Sequence, residues 1–321
     1  MTQLMKRSIA WAGCRIPAPA SDAPIVLLYH GTPRNTKPGR VDEAAFAAQI
    51  GMLKRNCELI GPETATLSRR GGRPRVLLTF DDGFRNNYDV ARPILQEHNA
   101  PAVFFITSRH NTRGKYLWFA HLRALEDYFP HPAIRFRGES FSMSAERRGS
   151  SMQRLKTLLL SLTPHPRAMY EAIEDELPRL EDFLPPERID DTCAGMTAAQ
   201  VRELAADPLF TIGGHTVDHP FLGRCEPEEA ERQISENKQW LEQAAERRIE
   251  TFAYPSGEYN SDIISGCKRA EFRQAYAVIP VQQVAGPYDI GRIGIYGTSL
   301  VALSFIVRWG NTLRAKRVRL G

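Results

Sequence analysis

No apolar run in this 321-residue chain approaches the ~20 residues that a bilayer-crossing helix requires. The start, Met1 to Cys14, has two basic residues followed by an apolar stretch too short for the core of a secretory signal. Ala12-Gly-Cys14 has the residue order of a lipoprotein cleavage site, and the shortness of the stretch before it argues against that reading. The expectation is a cytoplasmic protein, or one peripheral at the inner membrane. Cysteine is scarce: the five, at 14, 57, 193, 225 and 267, are odd in number and never stand as Cys-x-x-Cys. That pattern suggests neither a disulfide framework nor a thiolate metal site, so the thiols are expected to be reduced. No aromatic-and-basic pattern of a nucleic-acid module is present, and no nucleic-acid partner is expected. Histidine is absent beyond His219.

What is present is enough apolar material for a full core. With 42% hydrophobic residues the chain suits one α/β domain with an insertion. The formal net charge is +5, and the tail holds as many cations, Arg308, Arg314, Lys316, Arg317 and Arg319. The segment from Ser299 to Trp309, followed by these residues, reads either as a helix packed on the domain with a solvated basic end or as a helix resting on anionic lipid.

The chain is organised around Val76 to Phe80, a short apolar run of buried-strand type that ends in Asp81-Asp82-Gly83. Adjacent carboxylates repel, so a fold that keeps both at a strand end needs a cation or a shared proton. An ordinary Asp-Asp-Gly turn is the competing reading. A second apolar run from Phe210 ends in His215-Thr-Val-Asp-His219, whose two imidazoles are four residues apart. Histidine and carboxylate together are what zinc takes in hydrolytic sites.

Thr79-Phe-Asp-Asp-Gly83 with His215-Thr-Val-Asp-His219 resembles the first two motifs of the polysaccharide deacetylases, the NodB-homology family also called carbohydrate esterase family 4. Ala102 to Thr107 resembles the strand after the first motif, and Phe252-Ala-Tyr-Pro-Ser-Gly257 resembles the third. The resemblance covers most of residues 25 to 300 and implies a distorted, incomplete (β/α)7-type barrel.

Read in order, residues 1–24 form an N-terminal segment rich in proline, alanine and serine towards its end. Ile25 to Tyr29 is a first strand with His30 at its end, and Asp42 to Lys54 is an amphipathic helix with an acidic first turn. Asn86 to Glu97 is a second helix that Pro93 starts or kinks. Strand and helix alternate, as parallel strands with crossover helices require. The rhythm breaks over 108–195, which is read as a mostly helical insertion containing a strand-like stretch from Ile134 to Phe141. His110, His121, His131 and His165 lie within it and are read as ordinary surface residues. Thr197, a good N-cap, restores the rhythm. The barrel domain spans 25–298, and 299–321 is the basic C-terminal helix and tail.

The resemblance implies a divalent cation, zinc by ligand type, held by Asp82, His215 and His219, with Asp81 as general base. Hydrolysis would remove N-acetyl groups from N-acetylhexosamine units of a glycan. Many members draw their general acid from a C-terminal histidine; here His30 is the candidate, or else it orients the metal site. Ala253 stands where the family often has arginine, and Arg292 is a candidate replacement from a neighbouring strand. Ser256 falls where a backbone N–H helps to hold the oxyanion. Two alternatives remain open: hydrolysis of another C–N amide on the same site, and a catalytically weakened glycan-binding relative. The expected partner is a glycan, with the basic C-terminus open to peripheral membrane contact.

Overall fold

The computed structural model describes residues 23–278 and 286–318, apart from 35, 38 and 70. The predicted N-terminal segment, up to residue 22, and Arg319 lie outside them. Among the described residues no helix is long and apolar enough to cross a membrane.

The sheet is built from β1 (Ile25–Tyr29), β3 (Arg75–Phe80), β4 (Ala102–Ile106), β7 (Phe210–Gly214), β8 (Thr251–Ala253), β9 (Gln274–Ala277), β10 (Ile290–Gly291) and β11 (Ile293–Gly294). A two-residue strand, β2 (Glu58–Leu59), flanks β3. All neighbours are parallel, in the order β10-β9-β8-β7-β4-β3-β1-β11. The two ends of that path, β10 and β11, are one extended segment interrupted at Arg292. The sheet therefore comes round on itself into a nearly closed barrel, the predicted fold class.

Alternation along the strands sorts the apolar residues into two layers. Val26, Leu77, Val103, Phe105, Ala253 and Tyr276 form an inner cluster. Leu27, Leu78, Phe104 and Ile212 face outward into the larger core beneath the helices. Those helices are α1 (Glu43–Asn56), α2 (Arg92–Glu97), α7 (Ala198–Ala206), α8 (Pro227–Ala245), α9 (Ser261–Arg269) and α10 (Leu300–Val318). Asp42 caps α1 by accepting from the Ala45 N–H, and Thr197 and Gln200 form a reciprocal capping box on α7. The helix predicted from Asn86 begins as a π turn over Asn87–Ala91 and becomes α2 at Arg92. Proline inside the helix has no N–H to give, and a widened turn beside it absorbs that loss. α10 packs on α1 and β1, with Leu303 and Val307 buried in the core.

Between β4 and α7 lie α3 (Trp118–Tyr128), β5 (Ala133–Phe136), β6 (Glu139–Ser142), α4 (Arg148–Ser161), α5 (Pro166–Glu176) and α6 (Pro186–Thr192). The single strand-like stretch expected at 134–141 is a hairpin of β5 and β6. Arg137 and Gly138 both take positive φ, at 50° and 75°, as a two-residue type I′ turn demands. The sequence reading missed it because the turn carries an arginine where Asn or Gly is usual. This region has its own apolar core, with Leu125, Ile134, Phe141, Leu155 and Met169 at its centre.

Two of its histidines correct the sequence reading. His110 is 3% and His121 8% exposed, so neither is a surface residue. His121 Nε2 lies 2.9 Å from the Pro178 carbonyl. His131 and His165 are exposed.

Candidate metal centre and active site

The first strand register puts Tyr29 beside Phe80, so the residues that follow each strand, His30 and Asp81, meet at the same rim. The Asp81 N–H donates to the Tyr29 carbonyl at 2.9 Å, extending the ladder by one residue. There β3 stops, because Asp82 and Gly83 both take positive φ, at 76° and 81°. Gly83 is required on a second count: a Cβ there would stand 2.7 Å from Ile106 Cγ2. The Asp82 carbonyl accepts from the Thr107 N–H at 3.1 Å and lies 2.8 Å from His110 Nε2. His110 thus braces the turn from inside the protein.

On the neighbouring side of the rim, β7 delivers His215. Its Nδ1 lies 2.7 Å from the Ala253 carbonyl, which selects the tautomer that leaves Nε2 as a lone-pair donor. Position 253 contributes to the centre through its backbone. Thr216 and His219 take positive φ, at 68° and 53°, which folds the loop back so that both imidazoles face Asp82. His215 Nε2 and His219 Nε2 lie 3.6 and 3.4 Å from Asp82 Oδ1. These are too long for hydrogen bonds and suit ligands converging on one point.

The donor atoms of Asp82, His215 and His219 all lie within 4.8 Å of one another. Both carboxylate oxygens of Asp82 and Nε2 of His215 are buried with no hydrogen-bond partner. A buried carboxylate without donors is strongly unfavourable unless a cation neutralises it. The three residues therefore fit a divalent cation, and they form a candidate metal site.

Asp81 is handled differently. Arg292 donates from Nη1 to Oδ1 at 2.6 Å and from Nη2 to Oδ2 at 2.8 Å, and is itself only 1% exposed. Burial alone would raise the Asp81 carboxyl, but the guanidinium and then His215 outweigh it and hold the group below the usual carboxylate range. At Asp82 burial is likewise outweighed, by the surrounding histidines, and the carboxyl is again lowered. Without a cation, burial opposes protonation of His215, but Asp81 and Asp82 reverse the effect and raise its pKa. Burial dominates at His219 and pushes it down to about 4.

Residues that the sequence reading passed over support this loop. On α8, Gln233 and Asn237 are one turn apart and fully buried. Asn237 Oδ1 accepts from the His215 N–H at 3.0 Å, and its Nδ2 donates to the Ile106 carbonyl at 3.0 Å. Gln233 accepts from the Asp218 N–H at 2.8 Å and donates to Asp218 Oδ2 at 2.6 Å. The signal was available: both amides fall on the apolar stripe of Ala230, Ile234 and Leu241. From α5, the Tyr170 hydroxyl donates to the Asp218 carbonyl at 2.9 Å and accepts from the Trp118 N–H at 3.3 Å. Arg109 lies 3.5 Å above the Tyr170 ring and donates to Asp218 Oδ1 at 3.2 Å. No sequence pattern foretold these long-range contacts.

A cavity of about 780 Å³ opens onto the centre. Asp81, Asp82, His219, His30 and Ser256 line it, as does Tyr296, whose ring stacks on His30 at 5.8 Å. Trp118, Phe119, Lys156 and Leu160 reach it from the stretch between β4 and α7, so that stretch forms part of the wall.

A sequence model of the family described as polysaccharide deacetylase matches residues 68–132 and 182–275. The matched stretches contain Asp81, Asp82, His215 and His219 and leave out 133–181. The YxkH protein of Bacillus subtilis (strain 168), provisionally named as a polysaccharide deacetylase, is 18% identical over 277 residues, which is 84% of this chain and 70% of that protein. Among solved structures, the Streptococcus pyogenes deacetylase PplD in complex with acetate matches with a TM-score of 0.55 at 16% identity, over 89% of this chain and 99% of that one. IcaB from Ammonifex degensii matches with a TM-score of 0.55 at 17% identity, over 90% of this chain and 97% of that one. At such identities the two structures speak for the fold.

Proposed function

The chain belongs to the polysaccharide deacetylase family, and we propose that it removes N-acetyl groups from N-acetylhexosamine units of a glycan, with zinc held by Asp82, His215 and His219. The observation that carries this reading is the pairing of two unlike carboxylates at one cavity floor. Asp82 has bare oxygens that face two imidazoles, and Asp81 is ionised and held in place by Arg292. When bound, a divalent cation there polarises the amide carbonyl and acidifies water.

Asp81 takes the proton of the attacking water as general base, since its lowered pKa keeps it ionised at neutral pH. His30, on the cavity wall beside it, gives a proton to the leaving amine. The backbone at Ser256 contributes to the oxyanion hole from the third motif. Water adds across the amide, the C–N bond breaks, and acetate and a free amine leave. The Arg292 pairing supports an active enzyme over a binding-only relative, because it supplies a partner for Asp81 although position 253 has no arginine. Hydrolysis of another amide on the same residues is the other outcome of a substrate panel.

The test is acetate release from N-acetylglucosamine oligomers by the zinc-loaded chain, with Asp82→Ala and His30→Ala alongside. Release by the unaltered chain, abolished in the first variant and reduced in the second, supports the reading. No release from a chain that holds one zinc per molecule overturns it.

A further inference from the structure

Resting on that reading, we propose that the substrate carries an anionic group, phosphate or carboxylate, beside the N-acetylated sugar, and that Arg123 and Lys156 bind it. The basis is an imbalance of charge on the cavity wall. Asp81 and Asp82 are the cavity's only carboxylates among the described residues, and both sit at the floor. One is occupied by Arg292 and the other belongs to the candidate metal ligands. The wall carries four cations: Arg40, Arg123, Lys156 and Arg224. Two are matched from outside the cavity, Arg40 by Asp127 at 2.8 Å and Arg224 by Glu258 at 3.0 Å.

The side chains of Arg123 on α3 and Lys156 on α4 make no ion pair or hydrogen bond among the described residues, and both are exposed. A solvent-facing cation on a convex surface needs no partner. Two cations in one concave wall are different, because low-dielectric walls focus their field on whatever occupies the space. Trp118, Phe119 and Phe221 line the same cavity and offer apolar faces to a sugar ring. The combination fits a sugar with an anionic substituent better than a neutral oligomer. Lys156 lies in 133–181, which the family model leaves unmatched. The preference would thus be a property of this chain's inserted region.

The experiment measures calorimetric binding and kcat/KM of the zinc-loaded chain for a neutral N-acetylglucosamine trimer, N-acetylglucosamine 1-phosphate and N-acetylmuramic acid. Arg123→Gln and Lys156→Gln are run beside it. The expected result is that at least one anionic sugar binds more tightly than the trimer. Each variant should lower the anionic-to-neutral affinity ratio about tenfold, as for a lost charged hydrogen bond, and the preference should shrink as salt rises. Preference for the 1-phosphate over the muramic acid identifies phosphate as the group, and the reverse identifies carboxylate. Equal binding of neutral and anionic sugars, unchanged in both variants, overturns the inference even if acetate is released. Anion preference without acetate release from any sugar upholds it and instead removes the deacetylase reading.

Discussion

Arg292 donates to both oxygens of Asp81 from 211 residues further along the chain, and both residues are almost wholly buried. A planar guanidinium matches a carboxylate edge to edge, so the pair fixes the direction of Asp81 as well as its charge.

Arg292→Met removes the guanidinium and leaves a buried carboxylate unpaired, at a cost of about 3–5 kcal/mol. Arg292→Lys keeps the charge but loses the fork, and should fall between the two in both stability and rate. The sign with pH follows from the lowered Asp81 pKa. Its stabilising contribution is present above the unfolded carboxylate value of about 3.9 and is lost as pH falls through the lower folded value. In the Met variant Asp81 titrates at higher pH, so the acid limb of kcat/KM moves up. Denaturant melts and a pH–rate profile check both statements.

Asp82→Ala, His215→Ala and His219→Ala should each weaken metal binding and abolish turnover. Because metal binds only the folded chain, removing it with a chelator should lower Tm, and a thousandfold excess of metal over Kd should restore about 4 kcal/mol of stability. Metal content and melting curves before and after reloading measure this. An unchanged Tm on chelation and reloading would count against the site.

Asn237→Leu strips the His215 N–H and the Ile106 carbonyl of their partner. The expected cost is about 1–3 kcal/mol of stability, with metal affinity lowered by ~10–100-fold as for other groups that orient a ligand. Competition with a chromophoric chelator gives the second quantity, and unaltered affinity would show Asn237 to be purely structural.

Tyr170→Phe keeps the ring beneath Arg109 and removes only the hydroxyl that joins Trp118 to Asp218. His219 follows Asp218 directly and has a φ of 53°, so slackening the loop should reach the metal. A drop in metal affinity with little change in the far-ultraviolet circular dichroism is the expected outcome. Equal affinity in both proteins would confine Tyr170 to holding α3 and α5 in place.

The strand ends were legible because a buried parallel strand is apolar throughout, and any polar group that follows it abruptly stands out. Asp81, Asp82, His215 and His30 were visible for that reason, and the structure gathers them at one rim. Gln233 and Asn237 were marked only by their place on the apolar stripe of α8, a helix that otherwise reads as charged and solvated. Their partners are not marked by any local pattern: Asn237 reaches the backbone of His215 and Ile106, and Gln233 the backbone and carboxylate of Asp218. His110 escaped for a related reason: a single histidine in a loop says nothing about a carbonyl that folds in above it. The break in the strand–helix rhythm over 108–195 was legible, but the contribution of these residues to the cavity wall depends on packing that periodicity does not encode.

Closure of the barrel through residues 290–294 also sets the order in which the protein can be completed during synthesis. Asp81 and the edge of β1 leave the ribosome long before Arg292 and β11 exist to pair with them. At 5–20 residues per second the wait is on the order of tens of seconds. Through that time a nascent chain has an unfinished sheet edge and a carboxylate without its counter-charge. It is then most open to mispairing and to chaperone capture.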